Sequence, residues 1–403
     1  MENRGIKSIR AREILNSRGE FTVEAEVETE KGVFTASVPA GASKGKYEAK
    51  AIESLKAVEN IEKIVAPKLI GQDPTDQKGL DEILIKLDGT KDKSNLGANA
   101  ILAVSMACCR AGASSKGLFL FQHIKEIENL STAHKLMPWP CFNILNGGAH
   151  AGNDLDIQEF MIVPQEKTFK ENVEKGVKIY QVLKQILKKE FGKSAINLGD
   201  EGGFAPNIKK TEEALDLIIQ ASELGGYSEK IKIGLDCAAT QFHKNSGYEI
   251  EGNKKTRKEL LEFYKDIANK YPILFLEDPF AEDDLQGFAE IMKVGEPIKN
   301  IIADDLTVTN PEKMKIAQDQ KLCNGMILKP NQIGTVSEAI EAGKLAKKFG
   351  WKIIVSHRSG DTCDDFITDL AVGISADFIK SGAPARGERI AKYNRLLRIE
   401  EIL

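Results

Sequence analysis

Six short runs rich in β-branched and aliphatic residues each close on a side chain able to bind a cation or carry a proton. IKIGLD closes on Asp236, ILFLED on Glu277 and Asp278, IIADD on Asp304 and Asp305, MILK on Lys329, KIIVSH on His357 and DFIK on Lys380. Asp236, Glu277 and Asp304 come from three adjacent runs and offer three oxygen ligands with no soft donor. That set suits Mg²⁺, which keeps positions for water and substrate oxygens. Any one of these acids reads equally well as a helix cap or a lysine partner; three at successive strand ends favour the metal. Lys329 and Lys380 would point into the same mouth. A lysine is a base only when neutral, which a nearby cation and a divalent metal promote. For Lys380 a plain salt bridge to the metal-site acids stands as the other reading.

Glu201 lies in the turn GDEGG, where flanking glycines let a carboxylic acid approach a ligand closely, although alone it reads as an ordinary turn acid. His357-Arg358-Ser359-Gly360 combines an imidazole, a guanidinium fork and a hydroxyl at a strand end, a clamp for phosphate or carboxylate. His150, in the loop NGGAHAGND, reads by itself as a surface histidine. A lysine base, a carboxylic acid, an acidic metal cluster and an anion clamp together define a reaction class. It is proton abstraction α to a carboxylate, with metal stabilisation of the doubly charged enolate, followed by loss of a leaving group.

The runs that carry these groups are four to six residues long, right for strands buried on both faces. Helical segments lie between them, among them 256–270, 311–318 and 337–349, so strands recur in the rhythm of βα repeats. In a closed βα barrel the functional side chains sit at the C-terminal strand ends. The barrel is expected to start irregularly. Segments 140–145 and 156–163 read as an antiparallel pair, the second carrying Gln158 and Glu159 outward, before a helix at 169–191.

Upstream, residues 5–38 read as a three-stranded meander, with Phe21, Val23, Ala25 and Val27 alternating against a wet face. The loop 39–45, PAGASKG, has the glycines and small residues of a mobile lid, or of a plain surface turn. Leu55, Val58, Ile61 and Val65 recur at helical spacing, and 99–113 is Ala-rich and helix-prone. Strands followed by helices imply a separate α+β domain, ending near Met137-Pro138-Trp139-Pro140. The expected organisation is an α+β domain over 1–133 and a βα barrel over 134–403.

Composition bounds the function. The 403 residues carry a net charge of −4, which offers no electrostatic reason to expect nucleic acid or an anionic membrane as partner. Six cysteines without CxxC spacing read as buried thiols of a reducing compartment. The N-terminus lacks an apolar core of signal-peptide length, and no apolar stretch reaches a membrane span, so a cytoplasmic protein is expected.

Ten long motifs carry a resemblance through nearly the whole chain. They are NSRGEFTVEAEV, GANAILAVSMA, NGGAHAGNDLDIQEFMIVP, GDEGGFAPN, LDCAATQF, EDPFAEDD, DDLTVTNP, LKPNQIGT, VSHRSGDT and SGAPARGERIAKYNRLLRIEE. On these the chain resembles the enolase family. The resemblance implies an enolase-type (β/α)8 barrel and a hydro-lyase that reversibly dehydrates 2-phosphoglycerate to phosphoenolpyruvate in glycolysis. It implies Lys329 as the base at C2 and Glu201 as the acid at the C3 hydroxyl. It implies a first Mg²⁺ on Asp236, Glu277 and Asp304, and Ser43 of the lid near a second, substrate-dependent Mg²⁺. Arg358 and Ser359 would bind phosphate, Lys380 would stabilise the enolate, and His150, Gln158, Glu159 and His357 would line the pocket. It further implies a homodimer or a larger ring of dimers, with contacts near Arg18, and a secondary cell-surface or secreted fraction. The chain departs from the family in lacking an insertion after the lid, in Lys44 beside Ser43, and in Gln241. Two rivals are weighed. An enzyme acting on a non-phosphorylated acid leaves the HRSG clamp without purpose, and a non-catalytic scaffold leaves the retained Lys329, Glu201 and three acids without one.

Overall fold

A computed structural model describes residues 5–41, 45–129, 137–227, 231–245 and 247–403. Ser43, Lys44 and the expected domain junction at 133/134 lie outside the described residues.

Strands β1 (Ser8–Leu15), β2 (Phe21–Thr29) and β3 (Gly32–Ser37) form the antiparallel meander. Val23, Ala25 and Val27 are fully buried, while on the opposite face Arg12 of β1 bonds both Glu24 and Glu26 of β2 at 2.6 Å. Phe21, expected on the covered face, is 65% exposed, because it starts the strand opposite the equally exposed Leu15. The helical stretch after the lid segment departs from simple spacing. Ser54–Asn60 passes through a π-helical turn, Ile61–Val65, into Ala66–Leu69. The wider turn aligns Ala57, Ile61, Val65 and Leu69, four residues apart, on the buried face and leaves Leu55 half exposed. Helix Ala98–Lys116 is nearly buried throughout and covers the sheet.

The second part opens with β4 (Trp139–Asn146), β5 (Glu159–Pro164) and β6 (Ile231–Asp236). A small side sheet follows: β7 (His243–Lys244), β8 (Gly247–Ile250) and β9 (Asn253–Lys255). The chain then lays down β10 (Ile273–Glu277), β11 (Ile301–Ala303), β12 (Gly325–Leu328), β13 (Lys352–Ser356) and β14 (Phe378–Lys380). Eight of these close a barrel in the order β4-β5-β6-β10-β11-β12-β13-β14. β5 runs antiparallel to both neighbours, and every other pairing is parallel. The irregular ββ start is therefore present, with β5 beginning at Glu159 instead of Asp156. Inside the barrel, Phe275, Ile302, Ile327, Ile354, Phe378 and Met161 pack together, so the interior is a core and not a channel.

Helices alternate with the parallel strands. Arg257–Lys270 is capped by Thr256 with Glu259 in a reciprocal box, and Pro311–Asp319 by Asn310 with Pro at its first turn. Val336–Phe349 is capped by Thr335. Five cysteines are buried and free; Cys363 is free but exposed, contrary to the expectation for it. No described helix is long and apolar enough to cross a membrane.

Candidate active site

The parallel strands deliver their last residues to one rim. Asp236, Glu277 and Lys380 end β6, β10 and β14; Asp304, Lys329 and His357 come immediately after β11, β12 and β13. Because β5 is reversed, its first residue reaches the same rim: Glu159 pairs with Asp236 on one side and Asn146 on the other. Gln158 and Glu159 are 5% and 2% exposed and line the mouth, where the family resemblance puts them and not on the outer side read from the strand pattern, since here the strand's start meets the other strands' ends. Glu201 joins them from the GDEGG turn, held by β-bridges of Phe204 to Leu145 and Leu198. One cavity is lined by His150, Gln158, Glu159, Glu201, Asp236, Asp304, Lys329, His357, Arg358, Ser359 and Lys380. Glu277 lies just beneath, fully buried. The free space among these side chains is about 30 Å³, room for about two waters.

Lys380 is the hub of the acids. Its Nζ lies 2.8 Å from both oxygens of Glu277, 3.1 Å from Asp236 and 3.3 Å from Glu159. Burial works to lower its pKa, but these carboxylates outweigh burial and hold the ammonium well above its ordinary range. Lys329 pairs with Asp304, whose other oxygen accepts from Gln332 Nε2 at 2.9 Å. Burial likewise acts to lower Lys329, Asp304 raises it, and Arg358 and Lys380 oppose Asp304; the net direction is upward. The three acids expected to share a metal are therefore bridged here by two ammonium groups, Lys380 on Asp236 and Glu277, Lys329 on Asp304.

Glu201 is 2% exposed and faces an amide and two imidazoles. Asn143 Nδ2 donates to it at 2.9 Å, and His357 Nε2 and His150 Nδ1 lie 3.3 and 3.6 Å away. The His357 tautomer follows from its other nitrogen. Arg389 NH1 lies 2.6 Å from Nδ1 and can only donate, so Nδ1 accepts and the ring proton sits on Nε2, facing Glu201. Burial pushes His357 down to about 4, so the ring is neutral. Burial would raise Glu201, whereas His357 and His150 lower it; Glu159 rises well above the carboxylate range through burial and the charge of Glu201. The net direction is downward for Glu201 and upward for Glu159, the result of two buried acids opposing each other's charge.

The metal expectation is tested by the donor set. Glu277 and Asp278 are raised well above the carboxylate range, first by burial and then by neighbouring acids, and Asp305 to about 7. Two groups bring ligand atoms within 4.8 Å of one another: His150 with Glu159 and Glu201, and Asp278 with Asp304 and Asp305. Buried oxygen donors crowded at one rim fit a hard divalent cation, and the Lys380 ammonium stands where cationic charge is already favoured.

The clamp is built across the two domains. Ser17 N donates to Asp361 O at 2.8 Å, and Asp361 N to Ser17 Oγ at 3.0 Å. Ala40 and Gly360 exchange backbone bonds at 2.7 and 2.8 Å. A Cβ on Gly360 would lie 2.9 Å from Ala40 O, so the approach requires glycine there. Arg358 is paired with Glu48. Asn143, Gln332, Arg389 and Glu48 escaped the reading of residue types. Asn143 and Gln332 are amides with no charge pattern, and Arg389 reaches the site from the last helix, Gly387–Glu400, in a motif that matched without a role.

Comparison with known proteins covers the same two parts. Residues 6–124 match the family model "Enolase, N-terminal domain" and residues 134–403 "Enolase, C-terminal TIM barrel domain". The chain is 48% identical to an enolase of Mastigamoeba balamuthi over 99% of its own length and 96% of the relative's. Enolases of Solanum lycopersicum and Methanocaldococcus jannaschii are each 47% identical, covering 99% of the chain and 95% of the relative.

Proposed function

The chain belongs to the enolase family, and we propose that it reversibly dehydrates 2-phosphoglycerate to phosphoenolpyruvate with Lys329 as base and Glu201 as acid. The observation that carries this reading is the pair itself. A buried lysine beside a metal-type carboxylate and a buried carboxyl among proton donors line one small cavity. Lys329 takes the proton from C2 once Asp304 is engaged elsewhere, because burial, Arg358 and Lys380 favour its neutral form and the charges of Asp304 and, more weakly, Glu277 oppose it. Lys380 presents a permanent ammonium to the charge that develops on the substrate carboxylate. Glu201, in its protonated form, gives its proton to the C3 hydroxyl, which departs as water. Neutral His357, its orientation locked by Arg389, and Asn143 keep the Glu201 carboxyl aimed. Arg358 and Ser359 seat the phosphate, and His150, Gln158 and Glu159 complete the wall.

Asp236, Glu277 and Asp304 would hold a Mg²⁺, which supplies Lewis-acid stabilisation of negative charge on the substrate carboxylate. A second, substrate-dependent Mg²⁺ near Ser43 belongs to the same reading, as do the domain division at 133/134, a homodimer or ring of dimers, and a cytoplasmic location. The test is ultraviolet absorbance of the enol product, with 2-phosphoglycerate and with or without Mg²⁺. Mg²⁺-dependent growth that Lys329→Ala abolishes is the expected result; a folded, Mg²⁺-loaded wild type without signal sinks the reading.

A further inference from the structure

The guanidinium proposed to seat the phosphate already holds an anion supplied by the chain. Arg358 NH1 donates to Glu48 Oε2 at 2.9 Å and NH2 to Oε1 at 3.1 Å, a bidentate pair whose side chains are 4% and 8% exposed. Glu48 Oε1 also accepts from Gly45 N at 3.0 Å, which fixes the carboxylate's orientation. The backbone beyond Glu48 is anchored independently, Ala49 N to Gln332 O at 2.8 Å and Lys50 N to Asp92 O at 2.7 Å. The Glu48 side chain can therefore swing without unfolding the segment that follows it. Arg358 lines the cavity, so an anion that takes these two N–H groups must first displace Glu48 from them.

We propose that Glu48 is a specificity-determining residue: its carboxylate competes for the Arg358 seat, and only an anion stronger than a buried bidentate carboxylate displaces it. The proposal rests on the reading of Arg358 as the phosphate seat. A phosphate dianion brings two charges and three acceptor oxygens to a site that also holds Lys329 and Lys380, whereas a simple carboxylate offers Arg358 nothing that Glu48 does not. The competition thus selects phosphorylated acids over their dephosphorylated analogues. Apparent affinity falls by the fraction of protein in which the seat is occupied internally.

The test is calorimetric titration of Mg²⁺-loaded full-length protein with inorganic phosphate, in wild type, Glu48→Gln and Arg358→Gln. Glu48→Gln keeps the shape and the acceptor for Gly45 N but removes the charge. It is expected to tighten phosphate binding on the order of tenfold and to lower KM for 2-phosphoglycerate in parallel. Arg358→Gln is expected to lose phosphate binding. Unchanged or weaker phosphate binding in Glu48→Gln, with Arg358→Gln still deficient, overturns the competition and leaves the seat. Wild-type phosphate binding in Arg358→Gln overturns the seat itself. If Glu48→Gln does not fold by circular dichroism, Glu48→Asp carries the same test: it keeps the charge, withdraws it by one methylene, and should tighten binding in the same direction.

Discussion

Lys329 and Glu201 are distinguished by their neighbours more than by their types. Lys329 touches Asp304, and Glu201 touches Asn143 and lies beside two imidazoles. Their substitutions should therefore fail differently. Lys329→Ala should lose both turnover and exchange of the C2 proton with solvent. Glu201→Gln should lower turnover on the order of 10³-fold yet retain C2 exchange, read by the loss of the C2–H signal in deuterated buffer. Loss of exchange in both would return the acid's role to another group. The metal is tested on the same scale. Chelation should abolish activity and Mg²⁺ restore it, and Mg²⁺ should raise the melting temperature of the wild type. Glu277→Gln, which removes one buried oxygen charge, should shift the Mg²⁺ midpoint upward by roughly tenfold or more. An unchanged midpoint would remove Glu277 from the ligand set.

Elements matter here through their ends. The reversal of β5 brings the start of one strand to a rim otherwise made of strand ends, which is how Glu159 meets Asp236 and Lys380. Another end is satisfied across the domain boundary. The first N–H groups of Val336–Phe349 are met by the N-terminal domain, Val336 N by Ser105 Oγ at 3.0 Å and Ser337 N by Asp81 Oδ2 at 2.8 Å. Asp81 is buried and also accepts from Ser105 Oγ at 2.6 Å and Gln77 Nε2 at 3.1 Å. Asp81→Ala would leave these donors without that acceptor in a site closed to water. It should cost about 2 kcal/mol, measured by denaturant melts at constant m-value. A change within experimental error would mean that water takes the carboxylate's place.

On the scale of the whole molecule, helix Leu120–Glu128 is wedged between the domains. A Cβ on Gly112 of the helix beneath it would come within 2.9 Å of His123 Nε2, and one on Gly373 of the barrel within 2.6 Å of Ile124. His123 is fully buried, with no hydrogen-bond partner on either ring nitrogen among the described residues, and burial lowers its pKa from 6.5 to about 4. The unfolded imidazole gains its proton near 6.5 and the folded one only near 4, so the unfolded state binds more protons between those values. Stability from this group is complete above the higher value and falls as pH drops toward the lower. His123→Leu should flatten that part of the stability–pH profile; an unaltered slope would assign the acid sensitivity to other groups.

Residue types and spacing alone determined much of this protein. Short buried strands ending in Asp236, Glu277, Asp304, Lys329, His357 and Lys380 specify a barrel rim, because period, length and strand-end chemistry are local properties of the chain. The wet and dry faces of β2 and the irregular ββ start were legible for the same reason. Tertiary structure alone decided which charges meet. The inward placement of Gln158 and Glu159 depends on the reversal of β5, and the exposure of Phe21 depends on where covering elements stop. The His357 tautomer is set by Arg389, more than thirty residues away in the chain, and the Arg358 seat is filled by Glu48 from the other domain. Coulomb energies and desolvation act through space and not along the chain, so sequence names the groups that can ionise, while their partners, and hence their protons, are chosen only when the barrel closes and the domains dock.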